Sequence, residues 1–507
     1  MGYLNALFSP LTRLLGGSSR HRGNIIAIAG GPPIDAESLP FTLGTTIANR
    51  YELLDVLGVG GFSVVYLTRD RESEALHALK TLRDDIVHDA ETLTQFRKEA
   101  KVWISLERHP NIVRADFITE LDGRLCIGME YVRPNEDGFN SLDGYMKSSP
   151  PNLEQGLRWM IQFCHGMEFA RAHGVRAHRD VKPANIMMDR DRTVKITDFG
   201  FAEVLDATRS AVVSGRRRSI PHSGFGTPVY MSPEQFLNAP RCDERSDIYS
   251  LGVIMFQMAA RGRLPFFPIG YDKGMERTEL WLAMHRMHAE APVPKLASPL
   301  FTIIRKCLEK EPRLRYQVFR DLREDLEALL LKHTGKQEAP ASIRGAGAWE
   351  LYNRGLSLAN LGDLPGAIAQ YQRSLQRNPN NADAWNNQGV CLRKLESLNE
   401  AVEAFRKAAS IDPDHAAALR NLGSTLRNMG MPVEALPWLV RAVKVDPANE
   451  SGLLNKALAE EELGLKADAA VSFREFLALP PAALVSYVEH AKSFLAKLPR
   501  TSNNQTR

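Results

Sequence analysis

His178-Arg179-Asp180-Val181-Lys182-Pro183-Ala184-Asn185, followed after the apolar stretch Val194-Lys195-Ile196-Thr197 by Asp198-Phe199-Gly200, decides how this chain is read. Moving a phosphoryl group needs a carboxylate near the attacking hydroxyl and two further oxygen ligands that hold magnesium against the phosphates. Asp180 supplies the first, and Asn185 and Asp198 supply the other two. The strand expected over Val194 to Thr197 carries Asp198 back to the cleft in which Asp180 stands, so the spacing serves one site.

Upstream, Leu57-Gly58-Val59-Gly60-Gly61-Phe62-Ser63-Val64-Val65-Tyr66 reads as a glycine-rich turn between two apolar strands, where backbone amides can approach a triphosphate closely. It follows a strand expected over Tyr51 to Leu57. It precedes Ala78-Leu79-Lys80, whose lysine is placed to meet the inner phosphates. A helix signal runs from Glu91 to Leu106, and its Glu99 is the natural ionic partner of Lys80.

With these residues in order, the stretch 51–331 resembles a eukaryotic-type serine/threonine protein kinase domain of the kind also found in bacteria. Met129-Glu130-Tyr131-Val132 resembles the gatekeeper and hinge, where backbone groups would hold adenine. Gly226 to Glu234 is similar to the end of an activation segment, Asp247 to Gly252 to the buried helix that anchors the catalytic loop, and Arg315 to the arginine that pairs with Glu234. The resemblance implies an α+β bilobal kinase fold using ATP and Mg2+. Its catalytic residues would be Asp180 and Lys182, and its metal ligands Asn185 and Asp198. The nucleotide site would be built from Leu57, Gly58, Gly60, Gly61, Val65, Ala78, Lys80, Glu130 and Val132. Lys182 and Thr227 imply a serine or threonine acceptor. Two positions depart from the family pattern. Ser63 replaces the third glycine and is expected to add a side chain to a flexible turn, and Trp103 stands one turn after Glu99 where a leucine-like residue is usual.

The 507 residues suffice for about three domains, and 44% apolar composition can fill sizeable cores. The 64 basic and 60 acidic side chains leave a formal charge of +4, so nothing global points to nucleic acid. Cys126, Cys164, Cys242, Cys307 and Cys391 lie far apart with no CxxC pair, which argues against a disulfide framework or zinc site and for a reducing cytoplasm. No run approaches the roughly 18 to 20 apolar residues of a spanning helix, so no transmembrane segment is expected.

Beyond the kinase-like stretch, residues 332–345 read as a linker, and a different organisation begins. Prolines 379, 413, 447 and 481 recur every 34 residues, as do Ala367, Ala401, Ala435 and Ala469, the period of tetratricopeptide repeats. Gly355, Gly389 and Gly423, with Ala457 in the last repeat, are small enough to let paired helices close, while Tyr371, Phe405, Leu439 and Phe473 fill the space between them. The second part is therefore expected to be an all-α TPR solenoid: four repeats over 346–481 and a capping helix over 482–498. The tail 499–507 and the leader 1–50 are expected to be disordered.

Asn353, Asn387, Asn421 and Asn455 share one repeat position, which in such repeats often faces the concave groove. Arg393, Lys394, Arg420 and Arg427 fall nearby, and together they suggest an acidic or C-terminal peptide ligand. Asparagine kept there for the fold, with basic residues merely solvated, is the alternative. Arg179 precedes Asp180 and implies a phosphate-ordered activation segment. The candidates are Thr208, Ser210, Ser214, Ser219, Ser223 and Thr227, and Ser219 after Arg216-Arg217-Arg218 suggests trans-phosphorylation within a self-associated pair. Two functional readings follow: a kinase whose repeats recruit protein substrates or partners, or a kinase-fold scaffold that binds nucleotide and acts by protein interaction alone.

Overall fold

The structure is a computed structural model describing residues 39–60, 62–199, 228–238, 242–267, 277–339, 345–479 and 485–498, with the short strands Ile25–Ile26 and Ile34–Asp35. Gly61, the six activation-segment candidates and the tail 499–507 lie outside the described residues, as does most of the leader. The chain divides into two compact units, Met1–Gly345 and Ala346–Arg507.

In the first unit, alternation of apolar and polar residues builds a six-stranded antiparallel sheet. Its strands are β1 (Thr46–Ile47), β2 (Tyr51–Val59), β3 (Ser63–Asp70), β4 (Leu76–Leu82), β5 (Ala115–Leu121) and β6 (Arg124–Glu130), in the order β1-β2-β3-β4-β6-β5. One face buries Leu53, Val64, Tyr66, Leu79 and Cys126 in a common core. Ser63 opens β3 opposite Leu82 and is buried, not part of a flexible turn. The glycine turn closes instead on the Gly60 N–H, which donates to the Ser63 carbonyl at 2.8 Å.

Helix α1 (Ala90–Ser105) starts at Asp89, whose carboxylate accepts the Thr92 N–H at 3.0 Å and satisfies one otherwise orphaned donor. Trp103 is buried on its inner face. Its indole N–H donates to the Val113 carbonyl at 2.8 Å, which gives the large ring a polar anchor where an aliphatic residue would have none.

The helical part of this unit contains α2 (Leu142–Ser148), α3 (Leu153–Ala172), α4 (Pro233–Asn238), α5 (Glu244–Ala259), α6 (Arg277–Glu290), α7 (Phe301–Cys307) and α8 (Phe319–Thr334). Between α3 and α4 runs the two-stranded pair β7 (Ile186–Met188) and β8 (Val194–Ile196). From Ile248 onward helix α5 is largely apolar all round and buried over most of its length, as expected of a helix with packing partners on every side.

The described residues of the second unit form four helix pairs and one terminal helix. The pairs are α9 and α10 (Ala348–Asn360, Leu364–Arg377), α11 and α12 (Ala382–Lys394, Leu398–Ile411), α13 and α14 (Ala416–Asn428, Pro432–Val445), and α15 and α16 (Glu450–Glu462, Lys466–Ala478). A Cβ on Gly389 would lie 2.6 Å from Phe405 Cε1, and one on Gly355 2.5 Å from Tyr371 Cε1. The glycines therefore set the approach of the first three pairs, as their spacing predicts. Each intra-pair turn passes through left-handed backbone at Gly362, Glu396, Gly430 or Gly464, again at the repeat interval. The terminal helix α17 (Val485–Ala496) buries Ala491 in one cluster with Phe473 and sets the Phe494 ring, tilted by 50°, at 5.1 Å from the Phe473 ring, covering the apolar end of the last pair.

Candidate active site

The sheet register lines up the nucleotide-site candidates. Val65 stands opposite Gly58 on one side and Lys80 on the other, and Ala78 stands opposite Met129. Leu57 and Gly58 lie on β2, Gly60 follows that strand, Glu130 ends β6, and Val132 is buried just beyond it. The Glu130 side chain meets the Lys195 ammonium at 2.9 Å, so any contact of this residue with a base falls to its backbone. Lys195, on β8, is a residue that sequence reasoning did not single out.

Beneath the sheet, Asp180, Lys182, Asn185 and Asp198 converge from segments distant in sequence. Lys80 Nζ, almost completely buried, donates to Asp198 Oδ1 at 2.6 Å. Glu99, its expected partner, is buried on the inner face of α1. Lys182 Nζ donates to Asp180 Oδ2 at 2.7 Å. Asn185 Nδ2 donates to both the Asp180 carbonyl and Asp180 Oδ2, each at 2.9 Å, so its Oδ1 is the end of the amide left for another ligand. Burial works to raise the Asp198 pKa, but Lys80 first and then Lys182 and His178 outweigh it and hold the carboxyl below its ordinary value. The Lys182 ammonium is held above its ordinary value: burial opposes the charge, and the Asp180 carboxylate overrides that.

His178 ties the segments of Asp180 and Asp198 together. Burial lowers its pKa and keeps the ring neutral. Its Nε2–H then donates to the Thr197 carbonyl at 2.8 Å while Nδ1 accepts the Asp180 N–H at 3.3 Å, a single tautomer serving both bonds. Phe199 is fully buried with its ring 4.9 Å from that of His178. Arg179 and Asp198 occupy left-handed backbone, with φ of 65° and 62°. These are costly conformations for residues with side chains, and the surrounding bonds hold them. Asp247 on α5 accepts the His178 N–H at 2.6 Å and the Arg179 N–H at 2.7 Å, and burial pushes its carboxyl up to about 7. Gln235 on α4 donates to the Arg179 carbonyl at 2.8 Å, another contact the sequence did not reveal.

Helix α4 is itself anchored. Glu234 receives Arg315 Nη1 at 2.6 Å and Nη2 at 2.9 Å, the pairing expected from the sequence, and Ser246 Oγ at 2.8 Å. Arg315 spends its remaining donors on the carbonyls of Glu309, Arg245 and Lys310.

Asn185 Oδ1 and the Asp198 carboxylate fit magnesium in kind. Both offer hard oxygen, and a cation that keeps water and phosphate ligands needs few from protein. Among the described residues there is no cluster of three or more His, Cys, Asp or Glu that could enclose a metal by itself. Among them, too, no helix is long and apolar enough to cross a membrane.

In the second unit, the asparagine amides are engaged with the repeats themselves. Asn421 is buried and donates to Asn386 Oδ1 at 2.9 Å, Asn387 donates to the Tyr352 hydroxyl at 3.1 Å, and Asn455 donates to the Ser451 carbonyl at 2.7 Å. Asn353 is half-buried. Arg427 approaches Glu462 at 3.9 Å, Arg393 reaches Ser424 Oγ at 3.3 Å, and Arg420 is half-buried. These amide bonds match the fold-keeping alternative better than a free row of peptide-binding amides.

Comparison with known proteins agrees with the geometry. Residues 51–325 match the family described as protein kinase domain, and residues 352–416 match tetratricopeptide repeat. The serine/threonine-protein kinase PrkC of Bacillus subtilis is 32% identical over 292 residues, covering 56% of this chain and 41% of that protein. The serine/threonine-protein kinase PknB of Mycolicibacterium smegmatis is 34% identical over 287 residues, covering 55% of this chain and 43% of that protein. The chain thus spans less than half the length of either relative. With its matched domain taking up more than half of its residues and the cleft groups assembled as described, the chain belongs to the protein kinase domain family, joined to tetratricopeptide repeats.

Proposed function

We propose that the protein is a serine/threonine protein kinase that transfers the γ-phosphoryl group of ATP to hydroxyls of protein substrates. The observation that carries this reading is the assembly of Lys80, Asp180, Lys182, Asn185 and Asp198 in one cleft, joined by the Lys80–Asp198 and Lys182–Asp180 bonds.

In this reading Asp180 orients the acceptor hydroxyl and takes its proton as the oxygen bonds to phosphorus. The bond from phosphorus to the bridging oxygen breaks, and ADP leaves with that oxygen. Lys182 neutralises charge on the transferring group, and Lys80 turns from Asp198 towards the inner phosphates, with Glu99 within the same lobe as its proposed counter-charge. Asn185 and Asp198 would hold magnesium, which when bound screens the phosphate charges. The five cysteines are all free and buried thiols, which supports a reducing, cytoplasmic setting.

The repeats are proposed to recruit a substrate or partner through an acidic peptide. Burial, and then the neighbouring Arg420 charge, hold the Arg393 guanidinium below its ordinary pKa, so an anion between these side chains would be favoured. Binding to an acidic peptide array should fall in Arg420→Glu, and unchanged binding would remove the basic patch from the argument.

The kinase reading is tested by incubating the protein with ATP and magnesium and measuring phosphate incorporation by intact mass beside an Asp198→Ala control. Phosphate is expected on the parent chain only. No incorporation into the parent or an added protein substrate, with nucleotide still bound, would favour the scaffold reading.

A further inference from the structure

We propose that Glu338, in the segment after α8, is a positioning residue for the strand that carries Asp198, acting by fixing the orientation of the Gln162 amide. Glu338 lies beyond residue 325, where the match to the protein kinase domain family ends. It nevertheless folds back onto α3 with only 13% of its side chain exposed.

Glu154, Arg158 and Gln162 recur at four-residue intervals and form one stripe along α3. Arg158 donates to Glu154 Oε1 through Nη2 at 2.9 Å and Nε at 3.2 Å, and through Nη1 to Glu338 Oε2 at 2.5 Å. Gln162 Nε2 donates to Glu338 Oε1 at 2.8 Å, so each oxygen of the Glu338 carboxylate has its own donor. At the other end of the same amide, Gln162 Oε1 accepts the Val194 N–H at 2.9 Å.

The chemistry of the two neighbours leaves the amide one orientation. An ionised carboxylate can only accept, and a backbone N–H can only donate. Gln162 must therefore turn its NH2 to Glu338 and its oxygen to Val194. Without the carboxylate the amide is free to turn over, and the NH2 group would then face the Val194 N–H, donor against donor.

Val194 opens β8, which runs directly into Thr197 and Asp198. The strand is also held by its pairing with β7 and by Asn111, whose Nδ2 donates to the Val194 carbonyl at 3.0 Å and whose carbonyl accepts the Ile196 N–H at 2.9 Å. Gln162 holds the Val194 N–H at the start of this strand. Glu338 thus lets the segment after the kinase domain influence the strand that presents Asp198.

The test is hydrogen exchange by mass spectrometry on the full chain, read on peptides covering Val194 to Asp198. Glu338→Ala is expected to speed exchange at Val194 by about tenfold, the equivalent of one hydrogen bond lost. Adding Gln162→Glu to Glu338→Ala is expected to bring it back to within about twofold of the parent, because a carboxylate accepts from Val194 in either orientation and gives Arg158 a new partner. A role limited to packing the segment against α3 would show no such rescue. Unchanged exchange in Glu338→Ala, or a double variant as fast as Glu338→Ala, would overturn the proposal. The consequence at Asp198 rests on the kinase reading, but exchange needs no turnover, so failure of one is distinguishable from failure of the other.

Discussion

Replacing Arg315 by alanine would withdraw one guanidinium from five acceptors at once. The side chain is fully buried, packs 4.8 Å from the Tyr249 ring, and bonds both oxygens of Glu234 and three backbone carbonyls. Breaking one side of such a pair costs about 3–5 kcal/mol, because the Glu234 carboxylate stays partly buried without its counter-charge. With about 2.1 cal/mol/K of unfolding entropy per residue over the unit Met1–Gly345, that corresponds to a fall of roughly 4 to 7 °C in melting temperature. The damage should also reach catalysis. Glu234 stands in the first turn of α4, the next residue, Gln235, holds the Arg179 carbonyl, and Asp180 follows Arg179.

The pH dependence has a definite sign. Burial alone would raise the Glu234 pKa, but the Arg315 hydrogen bonds and charge hold it below the ordinary 4.5. The stabilisation is therefore complete above that value and is lost as pH falls through the depressed folded value. Melting of parent and Arg315→Ala should differ fully at pH 7 and converge in acid. A shift under about 2 °C at pH 7, or a difference that grows on acidification, would refute the reasoning.

Asp247→Asn keeps the side chain's shape but leaves one acceptor for two N–H donors, so the His178–Arg179 turn loosens. The rate constant for phosphate transfer should fall by about tenfold or more if one buried bond is lost, and a rate equal to the parent would mean that Asp247 does not hold the loop. Gly389→Ala would press a Cβ to 2.6 Å from the buried Phe405 ring and should destabilise the repeats by about 1–3 kcal/mol by urea denaturation; an unchanged midpoint would show that the ring can move aside. His288 is fully buried, bonds the Tyr249 hydroxyl, and is lowered by burial to about 3. Its ring should stay neutral in the folded protein while the unfolded chain protonates, so its contribution to stability is present above about pH 6.5 and declines below it. Histidine proton resonances followed from pH 7 to pH 5 should leave the His288 ring untitrated, beside those of His178 and His109, which burial also lowers, and titration of every histidine near pH 6.5 would contradict this.

The sequence by itself determined both folds and pointed to the chemistry proposed for the cleft. Asp180, Lys182, Asn185 and Asp198 have fixed spacings because one loop and one short strand must present them together, and the 34-residue period has to persist if successive helix pairs are to bury a continuous core. Both signals are local or periodic, so they are legible along the chain. The bonds that hold the site in place are neither. Asp247 with His178 and Arg179, Gln235 with Arg179, Lys80 with Asp198, and Gln162 with Glu338 and Val194 join residues far apart in sequence, through polar atoms that could each have chosen another partner. The asparagines of the repeats teach the same lesson: their recurrence was visible, but whether the amides face a groove or one another depended on neighbouring helices. Only tertiary structure decides such choices, because a hydrogen bond is specified by where packing brings donor and acceptor and leaves no period in the sequence.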